Sequence, residues 1–312
     1  MARRAPPPAL TRTVAGLTIG ANRDHAFMQA VNLVTLFDLA PAGEDRFIGL
    51  SPNNGWRRVF GGQVLAQALV AAERTVAGRD PHSLHAYFLL GGHPKEPILY
   101  EVERVRDGRS FTTRRVVARQ KEAAIFVMTA SFHERETGFD HAAPAPAAPP
   151  PDACAESHKA AEMLEGPSRF RMKGMLDTIW PIEFRPTDLG RYGPDAPPEA
   201  QQTFWTRIGV RLPDDPALHR AALVYLSDMT LLGAALRPHG LTVYDHRLQV
   251  ASLDHAFWFH RPARADEWLL YVQDTPNASG ATGLVRGLLY AQDGTLAASV
   301  AQEGLLRRRN DL

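Results

Sequence analysis

Three residues in the second half of the chain carry the parts of a hydrolytic site: a carboxylate at Asp228, a hydroxyl at Ser252 and an amide at Gln302. Asp228 has Val224 and Tyr225 on one side and Leu231 and Leu232 on the other at helical spacing, so it interrupts an apolar helical face. A carboxylate there is either desolvated or held by hydrogen bonds, and a plain structural reading ties it to a helix terminus or a serine. Gln302 ends an apolar row formed by Leu296, Ala298 and Val300 under the two-residue period of a strand. A buried amide needs partners, so structural duty would also explain it. Ser252 shares a strand face with Val250, where a serine ordinarily only packs. Together the three groups suit the activation of a water, with Asp228 as general base and Ser252 and Gln302 fixing the water or the acyl oxygen.

Internal duplication is what groups them. Val59-Phe60-Gly61-Gly62-Gln63 aligns with Val224-Tyr225-Leu226-Ser227-Asp228, and Ser83–Phe88 aligns with Ser252–Phe257. Thr129-Ala130-Ser131-Phe132 aligns in turn with Val300-Ala301-Gln302-Glu303. The interval, roughly 170 residues, is the size of a domain and not of a solenoid unit. The matching points of the first copy hold Gln63, Ser83 and Ser131 with no acid among them, so only the second copy is expected to deprotonate anything.

The elements that must position these groups follow from periodicity and punctuation. Residues 1–25 read as a flexible tail, and Phe27–Val31 as the first helix or strand. A strand is expected over Phe47–Leu50. Gly61-Gly62 then opens a helix whose apolar stripe is Leu65, Ala68, Leu69, Ala72 and Val76. Strands are expected near 82–91, 97–106, 109–120 and 123–134, with Asp107-Gly108 as a hairpin turn. The run AAPAPAAPPP over residues 142–151 denies the backbone a helix or a ladder and reads as extended linker.

In the second half, strands are expected at Pro181–Phe184 and Thr203–Ile208, and Asp215-Pro216 starts a helix running to about Leu236. Strands near 247–260, 266–275, 280–291 and 296–308 follow, with a turn at Asp293-Gly294. The fold class is α+β: two tandem domains, 26–136 and 178–312, each a curved antiparallel sheet on one long helix, joined by a Pro/Ala-rich linker over 137–177.

Bulk properties exclude several classes. The 312 residues suit two domains, with 45% apolar and 22% charged residues as in ordinary globular proteins. A net charge of +1 without a single-sign block gives no reason to expect nucleic acid or an anionic membrane as partner. No apolar run approaches the roughly 20 residues of a membrane span. Met1–Pro8 lacks the apolar core of a secretory signal, and Asn310-Asp311-Leu312 is not a peroxisomal Ser-Lys-Leu address. The one cysteine, Cys154, permits no intramolecular disulfide, fits a reducing compartment and reads as an inert thiol. A cytoplasmic location is expected.

Sharper motifs are missing. There is no G-x-S-x-G, no P-loop and no G-x-G-x-x-G after a strand. His255 and His260 fall on opposite faces of one strand, so they read as structural or surface residues and no metal is expected. Asp254 shares the face of Ser252 and is expected to pair with a base such as Arg261.

The segments Val59–Leu69, Tyr225–Asp228, Ile182–Pro186, Ser252–Pro262, Glu267–Tyr271 and Val300–Gly304 resemble the acyl-CoA thioesterase II (TesB-like) family, whose members carry two hot-dog domains in one chain. The likeness runs from about residue 30 to the C-terminus and weakens across the proline linker. It implies a water activated by an aspartate on the second helix with a threonine and a glutamine, roles that fall on Asp228, Ser252 and Gln302. Ser252 stands where threonine is common; the hydroxyl is kept, and loss of the methyl loosens its rotamer.

The implied substrate is an acyl-CoA thioester of medium to long chain, its tail held in an apolar tunnel between helix and sheet. Backbone amides at Gly61, Gly62 and Gln63, or beside Asp228, would hold the thioester oxygen. No cofactor is implied, because coenzyme A is part of the substrate. Two alternatives are a hot-dog enoyl-CoA hydratase, which needs an Asp and His pair and finds no histidine close to Asp228 in sequence, and a non-catalytic acyl-CoA sensor, which needs no acid. A fused pair already makes the sheet pairing that single units gain by dimerising, so a homo-oligomer is optional.

Overall fold

The computed structural model describes residues 32–52, 56–179, 181–193 and 196–309. The tail 1–25 and the element expected at Phe27–Val31 lie outside the described residues. The first helix, α1 (Leu33–Phe37), is capped by Asn32, whose Oδ1 accepts from the N–H groups of Val34 and Thr35. Strands β1 (Ala40–Pro41) and β2 (Arg46–Gly49) lead to α2 (Gly61–Glu73), and then to β3 (Asp80–Phe88), β4 (Ile98–Asp107), β5 (Phe111–Gln120) and β6 (Ala123–His133). Buried and exposed residues alternate along β5, as a sheet with one packed face requires.

α2 is buried almost all round, from Gly62 to Leu69 and again at Ala71 and Ala72. A helix in that position has no polar face to spare. Its alanines let it lie between the sheet and a second helix.

Two helices, α3 (Ser157–Met163) and α4 (Gly166–Thr178), fall within the span read as linker. The extended part is shorter, ending at Pro150, where a 3-10 turn over Pro151–Ala153 begins. That proline-rich stretch is packed down: Pro149 O accepts from Trp205 Nε1 at 2.7 Å, and Ala145 and Ala148 lie on a cluster containing Trp205, Trp268, Leu270 and Tyr290. Cys154 is buried at its end, its thiol pushed up by burial and directed at Pro149 O, which suits an inert role.

The second half continues with β7 (Ile182–Pro186), β8 (Gln201–Ile208), α5 (Pro216–Ser227), α6 (Gly233–Leu236), β9 (Leu248–Ser252), β10 (Asp254–Phe259), β11 (Leu269–Ser279), β12 (Thr282–Ala291) and β13 (Leu296–Arg308). Asp215 caps α5 as its sequence suggests, accepting from Ala217 N at 2.9 Å with Pro216 in the first turn. Asp293-Gly294 turns the β12–β13 hairpin with Gly294 at φ 85°, a backbone region that glycine enters freely.

All the strands join one antiparallel sheet in the order β1-β2-β4-β5-β6-β3-β10-β13-β12-β11-β8-β7, with β9 on β13. The halves meet at β3 and β10, where Leu84 faces Phe257 and Ala86 faces His255. Helix α2 packs on β3–β6, α5 on β8 and α6 on β11 and β12. Each half is therefore a sheet curved round its helix, the double hot-dog arrangement expected from the sequence.

The second helix departs from expectation. Instead of running unbroken to Leu236, it stops at Ser227 and resumes at Gly233. The Ser227 carbonyl, which would accept the next helical bond, instead accepts from Tyr271 Oη at 2.9 Å. The Thr230 carbonyl accepts from Gln202 Nε2 at 3.1 Å and from Gly233 N at 3.0 Å. With the Ser227 acceptor spent on the sheet, the backbone leaves the helix after that residue.

Candidate active site

The two central helices run antiparallel. At one end Arg220, in α5, bonds Glu73 at the end of α2 with 2.7 Å between Nε and Oε1. At the other, the start of α2 meets the end of α5 so closely that a Cβ at Gly62 would lie 2.4 Å from Tyr225 O, and one at Gly61 2.6 Å from Asp228 Oδ2. The acid of the second half thus rests against the N-terminal turn of the first half's helix.

Asp228 is the residue at which α5 ends, not a member of an unbroken helical face. Its Oδ1 accepts from Gln302 Nε2 at 2.7 Å and from Ser252 Oγ at 3.2 Å. Ser252 is the last residue of β9 and lies opposite Gly304 on β13, two residues beyond Gln302, so strand register brings both donors to one carboxylate oxygen. The three residues singled out in the sequence therefore assemble. Gln302 is 1% exposed. The carboxylate side chain is 4% exposed, yet it lines a cleft of about 570 Å³ with Gly61, Ser252, Phe60, Met229 and Val250.

Of the glycine-rich start of α2, Gly61 borders the cleft, while Gly62 is pressed between Phe60 and Tyr225. Gln63 turns the other way: its amide donates to Ser51 Oγ at 2.9 Å and to Leu50 O at 3.3 Å, holding a loop of its own half. Its side chain is committed there.

The first copy needs correction as well. Gln63 opens α2 whereas Asp228 follows the end of α5, so the two do not correspond by element. The residue at the matching end of α2 is Glu73, an acid that the alignment placed nowhere. Arg220 covers it, and burial pushes its carboxyl up to about 7. Ser83 and Ser131 do face each other, on β3 and β6, but Ser131 Oγ contacts His82 Nε2 at 2.8 Å. Asp254 does not pair with Arg261; its Oδ1 accepts from Glu303 N at 2.5 Å, and Arg261 takes Asp140. His260 contacts Ser299 Oγ at 2.8 Å on the sheet. Among the described residues no group of His, Cys, Asp or Glu is placed to hold a metal.

Residues 177–305 match the acyl-CoA thioesterase family, and residues 51–133 match the acyl-CoA thioesterase N-terminal domain. Acyl-coenzyme A thioesterase 8 of Homo sapiens is 39% identical over 290 residues, covering 90% of each chain. Acyl-CoA thioesterase 2 of Haemophilus influenzae is 36% identical over 282 residues, 88% of this chain and 97% of its own. The crystal structure of an acyl-CoA thioesterase II from Mycobacterium marinum superposes with a TM-score of 0.75 at 40% identity, over 90% of this chain and all of that one.

The chain belongs to the acyl-CoA thioesterase II family. It is a thioester hydrolase acting on acyl-CoA, and among its described residues no helix is long and apolar enough to cross a membrane.

One residue beside the Asp228 carboxylate reads in the sequence as merely structural. His255, on β10, places Nδ1 3.9 Å from Asp228 Oδ1, and its Nε2 lies 3.1 Å from Ser227 Oγ. The histidine that looked absent near Asp228 is therefore present in space, delivered by a strand. It is 1% exposed and does not line the cleft. Its Nδ1 and Gln302 Oε1 are both buried without a hydrogen-bond partner among the described residues.

Burial pulls the His255 pKa down from 6.5 to about 4, so the ring is neutral at pH 7. Between those values the unfolded chain binds a proton that the folded chain refuses. The stability contributed is therefore complete above pH 6.5 and lost as pH falls toward 4. Acidification from pH 7.5 to 4.5 should cost the parent about 2–3 kcal/mol more than a His255→Gln variant, a comparison that cancels the opposing titration of Glu73. Urea unfolding at the two pH values measures it, and parallel losses in both proteins would show that His255 is not held neutral.

Proposed function

We propose that this thioesterase hydrolyses acyl-CoA of medium to long chain in one step, by a water that Asp228 deprotonates. The observation that carries the proposal is the carboxylate itself, fixed through Oδ1 by Gln302 and Ser252 while Oδ2 faces Gly61 at the cleft. Two donors on one oxygen set the orientation of the carboxylate, and the other oxygen is free to take a proton. Water oxygen bonds the acyl carbon, the water proton passes to Asp228, and the C–S bond breaks with its electrons on sulfur. Asp228 then returns the proton to the departing CoA thiolate.

The opening N–H groups of α2 have no acceptor within the helix and carry its positive end. Gly61 supplies one such donor beside the reacting carbon, where negative charge develops on the thioester oxygen. Phe60, Met229, Leu232, Val243 and Val250 give the acyl chain an apolar wall. Among the described residues no histidine lines the cleft, which disfavours a hydratase's acid and base pair at this carboxylate.

A single turnover in ¹⁸O-water tests the step. The acid released in the first turnover should carry the label, and Asp228 none. Unlabelled acid with label in the Asp228 carboxylate would mean a covalent anhydride and overturn the general-base role.

A further inference from the structure

The two halves carry the same tyrosine under their central helices and use it differently. Tyr100 is the third residue of β4 and Tyr271 the third of β11, and both are fully buried. Tyr100 Oη donates to a side chain, Gln67 Oε1, at 2.7 Å, and α2 runs on unbroken to Glu73. Tyr271 Oη donates to a backbone carbonyl, that of Ser227, and α5 stops there. Burial keeps this hydroxyl protonated well beyond the ordinary tyrosine range, so it stays a donor at neutral and mildly alkaline pH.

The neighbours of the two tyrosines differ in a matching way. Two residues beyond Tyr100, Val102 pairs with Val116 of β5; at the same register beyond Tyr271, Gln273 pairs with Gly287 of β12. A Cβ at Gly287 would lie 2.4 Å from Tyr271 Cε2 and 3.0 Å from its Oη, so the first half's valine could not stand beside this ring. Gln273 shares the face of Tyr271 by the two-residue period. It donates to Thr230 Oγ1 at 3.0 Å and accepts from Gln202 Nε2. The turn Ser227–Thr230 is thus held at both ends from β11, with Asp228 carried between them. Ser227 is held again through its hydroxyl, which lies 2.8 Å from Val224 O and 3.1 Å from His255 Nε2.

We infer that Tyr271 is a positioning residue of the hydrolysis, with Gln273 as its companion: by fixing the two ends of the Ser227–Thr230 turn they set the Asp228 carboxylate against Gly61, Ser252 and Gln302. This rests on the Asp228 reading, which makes that carboxylate the base. Neither residue lines the cleft, so both act through Asp228. Without the hydroxyl, the Ser227 carbonyl must find its donor elsewhere and the turn shifts. Displacing a reacting group by about 1 Å costs on the order of 10²-fold in rate.

The test sets Tyr271→Phe against Tyr100→Phe in the full-length chain, with CoA thiol release from octanoyl-CoA and a melting curve for each. Each substitution removes one buried hydroxyl from the third residue of a corresponding strand, so both should lower the melting midpoint. Only Tyr271→Phe should lower kcat, by about 10–100-fold, with KM within about threefold of the parent's. Equal kcat in the two variants overturns the inference, because a hydroxyl that only stabilises its half would act alike in either. In an Asp228→Asn background Tyr271→Phe should cost nothing further, since the carboxylate it positions is already gone. An additional loss of about tenfold there would mean that Tyr271 acts elsewhere, and would sink the inference.

Should Tyr271→Phe fail to fold, Gln273→Met decides, since it keeps the bulk of the side chain and loses the bond to Thr230 Oγ1. A fall in kcat of about tenfold or more at the parent's KM supports the inference, and a parental kcat ends it. Asp228→Asn tells the two readings apart. If it abolishes turnover while Tyr271→Phe keeps the parent's kcat, the Asp228 reading stands and the Tyr271 inference alone fails; near-parental turnover in Asp228→Asn removes both.

Discussion

Asp228→Asn is expected to lower turnover of acyl-CoA by about 10²–10⁴-fold, the usual worth of a positioned general base. The substitution keeps the shape of the side chain. The asparagine carbonyl can replace Oδ1 as acceptor for Gln302 Nε2 and Ser252 Oγ, which leaves its amide nitrogen toward Gly61. Those anchors survive, so the thermal midpoint should stay close to the parent's. What is lost is the one atom able to accept a proton from water. Thiol release under saturating substrate, beside a melting curve, is sufficient; a rate within a few-fold of the parent would remove Asp228 from the chemistry.

Adding a methyl group at Gly61 should separate the site from the fold. An alanine Cβ there would sit 2.6 Å from Asp228 Oδ2 and 3.0 Å from the Phe88 ring, with the carboxylate as the nearest atom able to move. Displacing a reacting group by about 1 Å costs on the order of 10²-fold in rate, so Gly61→Ala should lose about that much in kcat with little loss of stability. Gly62→Ala gives the opposite result. Its Cβ would lie 2.4 Å from the Tyr225 backbone oxygen, which cannot swing aside, so the two central helices must part. Overpacking of that kind costs about 1–3 kcal/mol and should appear as a lower midpoint. Full activity in Gly61→Ala would show that the contact with Asp228 does not position the base.

The legible parts of this protein were those whose signal is local. Asp215-Pro216 announces a helix start because one side chain caps and the other lacks an N–H, and the structure begins α5 there. The strands of both halves fall close to their expected places because alternation is a property of neighbouring residues. Misreadings arose where a distant group outcompeted a local one. Tyr271 on β11 takes the carbonyl of Ser227 and ends a helix whose own residues would continue it. The pairing of Gln63 with Asp228 failed for a related reason. Alignment compares residues in parallel, whereas the helices pack antiparallel, so the start of one copy's helix serves the end of the other's.

The amino-acid sequence by itself determined the two-fold repetition, the α+β class and the three side chains now gathered in one site, since residue type and short-range period carry that information. Only the tertiary structure decided that Asp228 stands in a helix break, that a helix from the other half supplies the facing N-terminus, and that His255 lies buried behind the carboxylate. The reason is physical: hydrogen-bond acceptors are allotted by competition among all groups in reach, and reach is settled by packing, not by order along the chain.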